Sequence, residues 1–176
     1  MNRTFLAACF VVASLGTLLA QGSAGDELRL KAAFVFRFPQ FVTWPVAVFS
    51  GRESFDICVA DSNGTARALR DLTSGESLNG MRMIVREDPV ELDLASCHVL
   101  VLPGLRPDRR LIKHASSKPI LTVGESPTFL DDGGIIQLKV IDRRVRFEIN
   151  LPAAERAGVT LSSQLLRLAA HVREEQ

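Results

Sequence analysis

Little in this chain is arranged for catalysis. Its 176 residues contain no Gly-x-Ser-x-Gly elbow, no phosphate-binding loop and no His-Glu-x-x-His helix, so the nucleophilic, nucleotide and zinc-peptidase chemistries that use those spacings have no recognisable seat. Histidine is scarce, with only His98, His114 and His171. Apart from the neighbours Cys97 and His98, none stands at metal-ligand spacing. Neighbours on a strand point to opposite faces, so neither a metal site nor a cofactor is expected. An excess of one charge is also missing. The chain has 21 Lys and Arg against 20 Asp and Glu, a balance poorly suited to nucleic acid. No repeat, low-complexity linker or long run of charge divides it, which points to one domain.

Long apolar runs are confined to the amino terminus. Arg3 precedes an apolar stretch from Phe5 to Ala20, followed by the small residues Gly22, Ser23 and Ala24. The stretch is shorter than the roughly 18–20 residues that span a bilayer, and the pattern is that of a secretory signal peptide. Residues 1–24 are therefore expected to be removed, leaving a domain of residues 25–176. Leu6-Ala7-Ala8-Cys9 mimics a lipoprotein box, but too little apolar sequence precedes Cys9 and too much follows it. After Ala24 every apolar run is broken by charge, Pro or Gly, so no membrane span is expected in the mature chain. About 150 residues, with 47% apolar residues overall, suffice to bury a core without metal or dense disulfides.

Removing the first segment leaves Cys58 and Cys97 as an even pair. In an oxidising compartment they are expected to form a disulfide, whose loop of about 40 residues would contribute roughly 4 kcal/mol by constraining the unfolded chain. The other reading is two buried thiols on neighbouring strands.

What is present is alternation. Strands are expected at Phe55 to Ala60, Arg82 to Arg86, His98 to Leu102, Ile120 to Val123, Ile135 to Ile141 and Arg144 to Leu151, with crossover helices at Thr65 to Leu72 and Asp108 to Ser116. Asn79-Gly80 and Gly133-Gly134 read as turns, the latter needing positive φ. Short crossovers favour parallel strands, while Asp142-Arg143 is short enough to join the last two as an antiparallel hairpin. The fold class is α/β: a mixed, mostly parallel sheet of about six strands flanked by helices. Leu30, Phe34, Phe38 and Phe41 share one face of an opening helix, a stripe read as core, with a kink expected at Pro39.

In the last quarter, Val145, Phe147, Ile149 and Leu151 alternate with Arg144, Arg146, Glu148 and Asn150, giving one apolar and one polar strand face. Pro152 suits a first helical turn and Gly158 a helix end. Ser162 or Ser163 can cap a second helix in which Leu165, Leu168, Ala169 and Val172 form a buried face.

This stretch, RVRFEINLPAAERAGVTLSSQLLRLAAHV from Arg144 to Val172, resembles the YfiR family of periplasmic repressors of membrane-bound diguanylate cyclases. So do KAAFVFRFPQFVTWP (Lys31 to Pro45), FDICVAD (Phe55 to Asp61), SCHVLVLP (Ser96 to Pro103), PILTVGES (Pro119 to Ser126) and GGIIQLKV (Gly133 to Val140), in the family's order. Phe36 and Arg37 depart from the family's usual Tyr-Asn. The resemblance implies a non-enzymatic periplasmic regulator. Its expected partner is the periplasmic sensor region of a transmembrane diguanylate cyclase, with a second copy of the chain as the other candidate, and repression would lower cyclic-di-GMP synthesis and biofilm formation.

Three surfaces are candidates for contact. The polar row Arg144, Arg146, Glu148 and Asn150 either is solvated or offers charges and a strand edge to a partner. The run Arg106, Arg109, Arg110, Lys113, His114 and Lys118 either is a solvated face or is drawn to an anionic membrane or an acidic domain. The loop with Asp61, Asn63 and Gly64 follows the first core strand, where open α/β sheets hold ligands. It is either an ordinary connection or the site of the alternative function, a periplasmic small-molecule sensor module serving another membrane receptor.

Overall fold

A computed structural model describes residues 21–60, 64–87, 94–106 and 108–175. The proposed signal segment therefore lies, apart from 21–24, outside the described residues. In chain order the elements are α1 (Gln21–Arg37), β1 (Val42–Thr43), β2 (Ser54–Val59), α2 (Thr65–Thr73), β3 (Ser77–Leu78), β4 (Met81–Glu87), β5 (Val99–Leu102), α3 (Arg109–Ala115), β6 (Leu121–Gly124), β7 (Ile136–Ile141), β8 (Arg144–Asn150), α4 (Leu151–Arg156), β9 (Thr160–Leu161), α5 (Ser163–Leu168) and β10 (His171–Arg173).

Eight strands form one sheet in the order β10-β8-β7-β6-β5-β2-β4-β3, and β1 pairs with β9 apart from it. Every pairing in the large sheet is parallel except β3 with β4 and β7 with β8. This is the expected mixed α/β sheet. All six expected strands are present, and the two additions, β3 and β10, are edge strands of two and three residues. Strands that short leave no readable period. Both antiparallel hairpins close through residues of positive φ, Asn79 (52°) with Gly80 (80°) and Asp142 (50°) with Arg143 (59°). Left-handed pairs of this kind match the twist of the strands they join.

The period of two sorts the core. Phe55, Ile57 and Val59 of β2 and Val99 and Val101 of β5 turn to a large apolar cluster under α1, α2, α4 and α5, with Phe147 and Ile149 of β8. Cys58, Leu100 and Leu102 turn to the other face, where Ile112 and Ala115 of α3 meet Phe129 and Leu130. Helix α3 thus lies across the sheet from α1.

Two local expectations are corrected. Pro39 does not kink a continuing helix; α1 ends at Arg37 and a 3-10 turn, Phe38–Phe41, takes over with the proline in its first turn, where a missing N–H is harmless. The Gly133-Gly134 turn has the expected positive φ, at Gly133 (+95°). Gly134 serves close approach, because a Cβ there would stand 2.1 Å from Phe129 Cε1. The second carboxy-terminal helix, capped by Ser162 through the Leu165 N–H at 3.2 Å, stops at Leu168. Ala169 turns extended, and Val172 enters β10, parallel to β8. Satisfying the open backbone of β8 outweighs one further helical turn. Leu168 is consequently 61% exposed rather than buried.

Candidate docking face and groove

On β8, Arg144 and Arg146 are exposed while Val145 and Phe147 are buried. Glu148 is half-buried and accepts from Lys139 Nζ at 2.7 Å. Asn150 departs from the expected polar row. It is buried; its Nδ2 donates to the Leu130 carbonyl at 2.9 Å and its Oδ1 accepts the Ala153 N–H at 3.0 Å, capping α4. The strand end it occupies is covered by β10 and by the turn carrying Leu130, so alternation there no longer reports exposure.

The outer edge of β8 is only half covered. β10 pairs with Glu148, Ile149 and Asn150, and Ala170 N–H donates to the Phe147 carbonyl at 2.8 Å. Strand backbone repeats every two residues, so the N–H and C=O of Val145 point to the same edge, beyond the reach of β10. The Val145 edge of β8, between Arg144 and Arg146, is therefore left unpaired by β10.

Next to it runs an apolar groove of about 280 Å³ between α1, β8 and α5. Phe34, Phe38 and Phe147 form its floor, with ring centroids 5.2–6.0 Å apart. Leu30 (46% exposed) and Leu168 (61% exposed) stand at its margins. Arg37 lines one end and donates to Gln40 Oε1 at 3.3 Å. The stripe expected to be core is thus core below and groove above. Higher on α1, burial alone would pull the Lys31 ammonium below its usual pKa. Glu125 and Glu27, each at 2.7 Å, more than reverse this and raise it above 10.5.

Cys58 and Cys97 are joined, with Cα atoms 5.7 Å apart, and both are buried on the face opposite the groove. His98 beside them is 1% exposed. Its Nδ1 accepts the Asp56 N–H at 3.0 Å, so Nε2 carries the proton. Phe55 and Phe49 stack on its ring at 4.6 and 5.4 Å. Burial, aided by the charge of Arg52, lowers its pKa from the usual 6.5. Among the described residues no group of three His, Cys, Asp or Glu side chains is placed to hold a metal.

A larger polar hollow of about 680 Å³ lies between β2, β4 and the turn before β4. The buried Asp56 carboxylate beneath it is already engaged by Ser54 Oγ at 2.9 Å and Arg86 Nε at 3.2 Å. In the loop expected to be a ligand site, Asp61 and Asn63 lie outside the described residues. Gly64, at φ +92°, begins α2 and accepts the Ala68 N–H at 3.1 Å. Of the basic run, Arg109 is paired with Asp132 at 3.1 Å. The sequence reading missed the groove; its signal was the crowding of Phe34, Phe38 and Phe41 with Phe147, more aromatic surface than one helix stripe usually buries.

The architecture is that of an α/β domain with a strand edge that β10 leaves unpaired and an apolar groove beside it, means of holding another chain. Comparison with known proteins gives this class a family. A sequence model described as YfiR/HmsC-like matches residues 28–170, and the chain belongs to that family. No curated protein matches it. At the level of the family, its members are periplasmic regulators of diguanylate cyclases rather than enzymes. Among the described residues no helix is long and apolar enough to cross a membrane.

Proposed function

We propose that this protein, exported with loss of residues 1–24, binds the periplasmic sensor region of a transmembrane diguanylate cyclase. It holds that enzyme inactive and so lowers cyclic-di-GMP and surface attachment. The observation that carries this reading is the family match over residues 28–170, which takes in α1, β8 and α5, the elements that build the groove and the open edge. The docking surface wraps the edge of β8, with Arg144 and Arg146 on one side of the strand, the Val145 backbone at the edge, and the groove margin at Leu30 and Leu168 on the other. Such a binder represses only through tighter binding to the inactive conformation, and a releasing signal must reduce that difference.

The test is capture of the cyclase from solubilised membranes by the purified protein. Arg146→Glu and Leu168→Asp change exposed side chains and are expected to fold normally while capture and repression fall. Phe147→Ala is expected instead to destabilise the fold by roughly 3–5 kcal/mol. Deleting the gene should raise cyclic-di-GMP, and the rise should vanish when the cyclase is deleted too. Unchanged cyclic-di-GMP in the single deletion would shift the reading to a small-molecule sensor module.

A further inference from the structure

We propose that the outward face of α3 and the turn before it form a docking surface for an anionic phospholipid bilayer. The chain as a whole is nearly neutral, with 21 basic and 20 acidic residues, yet the seven residues of α3 include Arg109, Arg110, Lys113 and His114 and no acid. Burial of Ile112 and Ala115 fixes the rotation of the helix, so all four basic side chains face outward, and each is exposed. Among the described residues only Arg109 has a carboxylate partner, Asp132. Asp108 turns its carboxylate back to the Arg110 N–H at 2.8 Å to cap the helix. Arg106, Arg110 and Lys113 are left without a carboxylate partner among the described residues.

At the head of this face the chain turns through Gly104 at φ +87° and presents Leu105, 71% exposed, beside Arg106. An exposed aliphatic side chain close in sequence to exposed cations suits a fluid, negatively charged interface, into which the leucine dips while the cations stay among the headgroups. A folded acidic partner would more naturally meet a concave apolar seat, which lies on the other side of the molecule. Helix α3 covers the sheet face opposite α1 and the groove, so one molecule can lie on a bilayer and present the groove to a membrane protein at the same time. The inference concerns the α3 surface rather than the groove proposed for the cyclase, which lies on the other side of the sheet, and is tested separately.

The experiment is sedimentation of the protein, purified from the periplasm, with vesicles of equal parts phosphatidylglycerol and phosphatidylcholine, compared with pure phosphatidylcholine. Binding is expected only to the anionic vesicles and should weaken as salt rises. Each cation near such a surface is worth about fivefold in affinity, so Arg110→Glu with Lys113→Glu should weaken binding by about 25-fold or more. Leu105→Ser should weaken it by roughly tenfold through lost apolar contact, and Arg37→Glu, beside the groove on the other side of the sheet, should leave it unchanged. Equal binding to both vesicle types, or a doubly reversed variant that sediments like the parent, would overturn the proposal. So would complete displacement by soluble glycerophosphate at the same headgroup concentration, which would mean a single-headgroup site rather than a bilayer surface.

Discussion

Gly134→Ala should be among the most costly single-methyl additions in this protein. The new Cβ would stand 2.1 Å from Cε1, 2.3 Å from Cδ1 and 2.6 Å from Cζ of Phe129, where carbon atoms at rest keep about 3.5–4.0 Å. The ring cannot retreat. It is wholly buried, and Gly124 faces it closely enough that a Cβ there would lie 2.3 Å away. Overpacking costs typically 1–3 kcal/mol, and a clamped ring places this substitution near the top, about 3 kcal/mol. Phe129→Ala alone should cost about 3–5 kcal/mol by emptying the same space. In the double variant the added methyl enters the vacated volume, so its cost should not exceed that of Phe129→Ala, a favourable coupling of about 3 kcal/mol. Urea unfolding with the disulfide intact and m unchanged measures all three differences. A Gly134→Ala protein within about 0.5 kcal/mol of the parent, or additivity in the double variant, would refute the clamp. The consequence reaches the docking face, because the neighbouring Leu130 carbonyl holds Asn150, the cap of α4 at the end of β8.

Replacing Cys58 and Cys97 with Ser should lower stability by about 4 kcal/mol in the chain-entropy model for their sequence separation of 39; thiol counting on the denatured parent should find neither sulfur free. His98 binds a proton less readily folded than unfolded. Its contribution is therefore complete above the unfolded pKa of 6.5 and lost as pH falls below it, so stability should decline between neutral and mildly acid pH. His98→Asn should flatten that slope, and an unchanged slope would assign it to other groups. Intact mass of the periplasmic protein should correspond to a start near Gly25; a mass retaining Met1 to Ala20, or lipid on Cys9, would contradict the proposed processing.

The sheet was legible because its central strands are long enough to show a period or an unbroken apolar run: β2, β5 and β6 read as strands, and β7 and β8 as a hairpin closed by two residues. Two features of the docking face were not legible, for the same physical reason. The polar row on β8 and the apolar stripe on α1 were each read from one element, whereas exposure is settled by what another element covers. Asn150 alternates with buried residues and yet is itself buried, because β10, only three residues long, and the turn at Leu130 close over the strand end. Leu30 belongs to an apolar stripe and yet is half-exposed, because it stands at the margin of the open groove rather than under a neighbouring element. The early end of α5 frees the chain to pair with β8 through Asn150 but not past Phe147, which leaves Val145 at an open edge. A variant in which β10 can no longer pair should therefore open more of the β8 edge while leaving the groove lining in place, separating the contribution of each to partner capture.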